Sequence, residues 1–169
     1  MSDPPSVAVR KLDEADLSQF HLLRLEALRL HPEAFGVSFE EERDEGSARM
    51  IGGLYPSATF GAFADGGIVG CAGLLVPTRV KQRHHGNLFS VFVTASWRGR
   101  GVSRVLLDEV IGHARAAELK HVTLSVTIGN MAARALYRSA GFVSFGVEPD
   151  ALLIDGVSYD EERMVLRLT

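Results

Sequence analysis

The sequence predicts a mixed α/β (α+β) fold built on a single central, mostly antiparallel sheet flanked by helices. Apolar residues recur alternately at strand and at helical spacing, giving the order β, α, α, β, β, β, α, β, α, β, β. Two Asp-Gly turns, at Asp65-Gly66 and Asp155-Gly156, join neighbouring strands as hairpins. With 169 residues and 46% apolar content, the chain is long enough for one sizeable core and reads as a single domain spanning 1–169.

Each element follows from local pattern. Val7 to Leu12 is β-rich. Asp13, Glu14 and Asp16 then supply a cap and negative charge for a helix start, and Leu17, Phe20, Leu23, Ala27 and Leu30 recur at helical spacing until Pro32. The acidic run Glu40 to Glu45 leads into a second helix that fades before Gly52-Gly53. Thr59–Ala64 and Ile68–Pro77 read as antiparallel strands around Asp65-Gly66-Gly67. After a basic loop, Arg79 to Gly86, the run Leu88–Val93 is apolar on both faces, as a central strand is. Val102, Val105, Leu106, Val110, Ala114 and Ala117 mark one face of a helix. His121–Val126 is a strand and Asn130–Ala140 a helix closed by Gly141; Phe142–Glu148 and Ser158–Leu168 are the final strands.

Composition excludes several function classes. Cys71 is the only cysteine, so neither a disulfide framework nor a cysteine-rich metal site is available, and it reads as a small core hydrophobe. None of the six histidines has HExxH spacing, and no metal is expected. Met-Ser-Asp-Pro-Pro has neither a basic start nor an apolar run, and nowhere do 18 apolar residues follow one another. The expectation is a cytoplasmic protein without a membrane segment. The net charge of −3 conceals a polarised chain: Gly66 to Leu107 contains no acidic residue and sums to +6, leaving −9 for the remainder. The overall acidity argues against a nucleic-acid partner.

The most informative segment is Trp97-Arg98-Gly99-Arg100-Gly101-Val102-Ser103, between a strand and a helix. Glycines at a helix start let a ligand approach the backbone, and the free N–H groups there suit a phosphate. A P-loop would need Gly-Lys-Ser/Thr, and a dinucleotide fingerprint would need glycine where Arg104 stands. By itself the pattern also fits a strand-to-helix turn that needs small residues.

Arg98-x-x-Gly101-x-Ser103 resembles the Arg/Gln-x-x-Gly-x-Gly/Ala signature of the GNAT superfamily of N-acetyltransferases, with Ser103 where Gly or Ala is usual. Asn130-x-x-Ala133-x-x-Leu136-Tyr137-x-x-x-Gly141-Phe142 is similar to the other half of that family's coenzyme site. The resemblance covers nearly the whole chain and implies the acyl-CoA N-acyltransferase fold, with acetyl-CoA as cosubstrate and an amine as acceptor. It implies that Arg98, Gly99, Arg100, Gly101, Val102 and Ser103 hold the pyrophosphate, and that Val91, Phe92 and Val93 pair with the pantetheine arm. A backbone amide of that strand would polarise the thioester carbonyl. Asn130 would touch the pantetheine or cap its helix, and Tyr137 would protonate or hydrogen-bond the departing thiolate. Without the resemblance, Asn130 reads as an N-cap and Tyr137 as a core tyrosine.

A primary amine of pKa near 10.4 is only about 1 part in 2,500 neutral at pH 7, a cost of roughly 4–5 kcal/mol before attack. Some lysine-acetylating relatives carry a glutamate near the position of Asn87, which accepts no proton. His84 and His85 are candidate bases, with Glu26, Glu40, Glu41 and Glu148 as further ones. The acceptor region of the family coincides with the acidic segments Glu40–Glu45 and Glu148, Asp150, Asp155, Asp160, Glu161 and Glu162, which favours a cationic amine. The competing class is a non-catalytic acyl-CoA-binding or sensing module. The family offers monomers and homodimers alike.

Overall fold

The computed structural model describes residues 6–169, so the reading of Met-Ser-Asp-Pro-Pro lies outside the described residues. The elements are β1 (Ala8–Lys11), α1 (Leu17–Leu30), α2 (Phe39–Glu45), β2 (Ala58–Ala64), β3 (Gly67–Leu75), β4 (His85–Val93), α3 (Val102–Ala116), β5 (His121–Thr127), α4 (Met131–Ser139), β6 (Val143–Ile154) and β7 (Val157–Arg167). The strands form one seven-stranded sheet in the order β1-β2-β3-β4-β5-β7-β6. Every pairing is antiparallel except β4 with β5. No helix among the described residues is long and apolar enough to cross a membrane, and none of their His, Cys, Asp or Glu clusters could hold a metal ion.

Asp65 and Gly66 turn at φ 51° and 79°, and Asp155 and Gly156 at 49° and 78°. These angles match the right-handed twist of the flanking strands, which is why the two hairpins form. Differences from the sequence reading fall at strand ends. β3 stops at Leu75 because Pro77 has no N–H to continue the ladder. β4 begins at His85, inside the expected basic loop, because parallel pairing with β5 extends it. β6 runs through Pro149 and Asp150 to Ile154 because it is the sheet edge, where a proline and an irregular register are tolerated.

The helices cover both faces. α3 packs Val102, Leu106, Leu107, Val110 and Ala114 onto Ala62, Ala72, Leu74 and Leu88, each larger side chain contributing about 1.5–3 kcal/mol by leaving water. α1 packs Phe20, Leu23 and Ala27 onto Cys71 and Phe92 on the other face. Leu30 of the expected stripe is exposed, and Leu28 and Arg24 are buried in α1.

α1 is introduced by a short 3-10 turn, Glu14–Asp16, closed by a capping box in which Asp13 accepts from the third residue and Asp16 accepts from the Asp13 N–H at 2.9 Å. Both Asp16 oxygens also accept from the Arg10 guanidinium at 2.7 Å. That hydrogen-bonded pair lowers the Asp16 pKa to about 2, against a burial effect that would raise it. A carboxylate whose folded pKa is depressed adds stability above its unfolded pKa and loses it as pH falls toward the folded one. Asp16→Asn is therefore expected to lower stability at pH 6 by about 1–2 kcal/mol and to flatten the loss between pH 4 and 2. Denaturant midpoints across that range measure it.

Candidate active site

The parallel contact of β4 with β5 lasts only three residue pairs, His85↔His121, Gly86↔Val122 and Asn87↔Thr123. Asn87 bridges the strands there, its amide donating to the Thr123 carbonyl at 3.3 Å and hydroxyl at 3.2 Å. Beyond this point the strands diverge. A cleft of about 1020 Å³ opens between Leu88–Val93 on one side and Leu124–Thr127 on the other. Backbone groups that a continuous sheet would pair are here left for a ligand, the geometry needed to add an extended chain between strands.

Strand β4 is itself kinked at the cleft. Gly73 pairs with Phe89 and Cys71 with Phe92, so Ser90 and Val91 together face Ala72. Two residues opposite one make a β-bulge. Ser90 sits there at φ 56°, a left-handed conformation that few non-glycine residues adopt. Val91, Phe92 and Val93 line the cleft beyond it.

The segment after β4 passes through a 3-10 turn, Ala95–Trp97, into α3, whose N-cap is Gly101 at φ 80°. Gly99 is also left-handed, at φ 71°. A Cβ on either glycine would meet no atom within 4 Å. The first N–H groups of α3 have no carbonyl within the helix to pair with, and open space lies over them, so the site fits an anionic group. Gly99, Gly101, Val102 and Ser103 line the cleft, Val102 almost wholly buried. Arg98 also lines it, but its guanidinium is turned back: Nε donates to the Val93 carbonyl at 2.9 Å and Nη2 lies 2.9 Å from His31 Nε2. Arg100 stacks over Trp97 at 4.8 Å, and its side chain stays out of the cleft. Arg104 lines the cleft as well, its Nε donating to Asp108 at 2.9 Å.

From the other wall, α4 presents Asn130 and Tyr137, two turns apart. Asn130 caps the helix by accepting from the Ala133 N–H at 3.2 Å and also lines the cleft. Tyr137 is 7% exposed, packs edge-on against Phe142 with ring centroids 6.0 Å apart, and lines the cleft. Burial pushes its pKa above that of an ordinary phenol, so the hydroxyl keeps its proton.

The model of the acetyltransferase (GNAT) family matches residues 22–142, well over half of the chain and all of the cleft lining except that from β6 and β7. The chain belongs to the GNAT acetyltransferase family. It is 37% identical over 87 residues to the N-alpha-acetyltransferase RimI of Mycobacterium tuberculosis, a match that spans 52% of each chain, about half the length of that relative. It is 32% identical over 126 residues to the IAA acetyltransferase of Azospirillum brasilense, covering 65% of this chain and 78% of that one. The fold superposes on yncA of Salmonella typhimurium, solved with its cofactor acetyl-CoA, with a TM-score of 0.80 at 23% identity, over 97% of this chain and 95% of that one.

In the GNAT cleft the structure corrects the expected acidic surface. Carboxylates there come from Glu33, Asp150 and Asp160. None of Glu40 to Glu45 lines the cleft: Glu41 caps α2 through the Ser38 N–H, Glu42 is buried beside Arg24, Asp44 pairs with Arg43, and Glu45 with Arg49. Glu162 is likewise occupied, paired with Arg134 at 2.7 Å and Arg138 at 3.0 Å, which hold its pKa low. Glu148 lies outside the cleft and helps raise the pKa of half-buried Glu161, its partner across the β6–β7 pairing, though burial is the larger cause.

The candidate bases move too. His84 and His85 sit at the closed end of the diverging strands, with His85 stacked on His121 at 5.1 Å, and neither lines the cleft. Glu26, Glu40 and Glu41 do not line it either. Sequence reasoning missed His31 and Glu33, which the turn at Pro32 brings to the cleft mouth; a helix stop followed by His and Glu was the available signal. Cys71 is 1% exposed, and burial pushes its thiol up to about 11, as befits a core residue.

Proposed function

We propose that the protein transfers the acetyl group of acetyl-CoA directly to a cationic primary amine. The observation that carries this reading is a single cleft lined by the open start of α3, by Tyr137 and the residues of the β4 bulge, and by the acidic side chains of Glu33, Asp150 and Asp160. The open space over Gly101 and the free N–H groups of α3 fit a diphosphate. When bound, acetyl-CoA supplies an activated carbonyl carbon and a thiolate leaving group.

Within the cleft, the N–H groups of Gly99 to Ser103 bind the diphosphate, and Val91 to Val93 with Asn130 align the extended arm. A bulge amide of β4 faces the carbonyl oxygen and stabilises the charge that grows there as the amine nitrogen bonds to carbon. Tyr137 donates its proton to sulfur as the C–S bond breaks. Glu33, Asp150 and Asp160 attract the ammonium form of the acceptor, and together with His31 they are the groups lining the cleft that can take up the proton the nitrogen sheds. Holding amine and thioester together supplies the rest of the barrier reduction by proximity.

Release of CoA thiol with a panel of amines tests this. Cationic amines are expected to be preferred over neutral ones, and Asp160→Asn to raise the acceptor KM about 5-fold, the worth of roughly 1 kcal/mol of ion pairing. A preference for neutral or acidic acceptors overturns the substrate class. Tight acetyl-CoA binding without turnover of any amine favours the acyl-CoA sensing module instead.

A further inference from the structure

On the face of β4 opposite α3, an arginine is sealed in the core. Arg24 of α1 is 2% exposed. Its Nε donates to Glu42 Oε1 at 3.2 Å, and its Nη1 donates to the Ser90 hydroxyl at 3.0 Å. Glu42 is wholly buried, accepting also from the Ser47 hydroxyl at 2.5 Å and from Arg49 Nη2 at 2.7 Å. These bonds outweigh burial and keep the Glu42 carboxyl ionised below its usual range. The Arg24 guanidinium also stands 5.3 Å from the centre of the Phe35 ring, which lines the cleft.

A buried charge is expensive, and an apolar pair of similar volume would join α1 to α2 at no greater cost. The cluster therefore calls for a reason beyond packing. Ser90 supplies one: it is not a counter-charge but the left-handed residue of the β4 bulge. Such a conformation persists only where the surroundings hold it. Here Arg24 holds the hydroxyl, and the Cys71 Sγ–H donates to the carbonyl of the same residue at 3.2 Å.

We infer that Arg24 is a positioning residue for acetyl transfer: through Ser90 it holds the β4 bulge in the conformation that aims a backbone N–H at the thioester carbonyl. The inference rests on the placement of the thioester proposed above. It makes α1 part of the device that polarises the donor.

Two variants test it, Ser90→Ala and the charge-balanced pair Arg24→Met with Glu42→Gln, each checked for folding by circular dichroism and thermal melting. Both are expected to lower kcat about 10- to 100-fold, the scale of a small misalignment at the reacting atoms, with the acetyl-CoA KM changed less than about 3-fold. The second readout is the carbonyl stretch of bound acetyl-CoA carrying a 13C label. It is expected below the free-solution frequency in the unaltered protein and displaced back toward it in both variants. A shift that persists undiminished in folded variants with unaltered kcat overturns the role of Arg24 alone. No shift in the unaltered protein overturns the thioester placement, and this inference with it.

Discussion

Gly101→Asp is expected to weaken acetyl-CoA binding by about 100-fold while leaving the protein folded. Gly101 caps α3 at φ 80°, a region that Asp tolerates better than most residues with a Cβ. A Cβ there meets nothing within 4 Å, so the new side chain is accommodated without displacing any neighbour. Its carboxylate, however, enters the space over the N–H groups at the start of α3 and competes for them with the diphosphate. Each hydrogen bond to a charged group is worth about 1.5–3 kcal/mol, so losing one or two accounts for the expected change. Gly101→Asn separates charge from bulk, because it imposes similar size and strain without the repulsion; a loss of about 10-fold is expected for it. Titration calorimetry measures both. An acetyl-CoA Kd unaltered in Gly101→Asp overturns the proposed placement of the phosphates.

Tyr137→Phe is expected to lower kcat about 100-fold, in the range of a lost general acid, with little change in the acetyl-CoA KM. Only the hydroxyl is removed: the ring stays buried against Phe142 and Val102 keeps its place in the same core. The pH profile adds a second check. Burial raises the pKa of the phenol, so its proton is retained across the assay range and lost only at strongly alkaline pH. Ionisation of Tyr137 therefore produces no alkaline limb below about pH 10, and the variant keeps the same acid limb at a lower plateau. Unaltered kcat in Tyr137→Phe overturns the assignment of the proton donor.

Much of the site was legible because it is local. Trp97 to Ser103 carries its own geometry: two glycines that accept positive φ, followed by an apolar helical stripe that leaves the helix N-terminus open. Asn130 and Tyr137 fall two turns apart on one helix, and that spacing needs no tertiary information. The Asp65-Gly66 and Asp155-Gly156 turns set the hairpins they join.

Other features depend on contacts distant in sequence. Arg24 interrupts the row Phe20, Leu23, Ala27, and reads as an exposed charge until Glu42 and Ser90, 18 and 66 residues away, surround it. The acidic run Glu40 to Glu45 looks like a surface for cations, yet Glu41, Glu42, Asp44 and Glu45 are spent on a cap and ion pairs within α1, α2 and the turn that follows. The acid-free stretch is divided by β4 itself. Nine extended residues span about 30 Å, so Arg79, Lys81 and Arg83 stand at the closed end of the strands while Arg98, Arg100 and Arg104 follow the other end, where Arg98 and Arg104 line the cleft and Arg100 turns away onto Trp97. Only half of that +6 lies near the phosphate cradle.

By itself, the sequence determined the order of elements, the hairpins, the glycine-led start of α3 and the spacing of Asn130 and Tyr137, because periodicity, turn chemistry and helix ends act over a few residues. Tertiary structure alone decided where β4 parts from β5, which carboxylates face the cleft, and that a buried arginine underlies the bulge. Those outcomes depend on which strands pair and for how long, and on which charges find partners before they can face a ligand; no short stretch of chain encodes either.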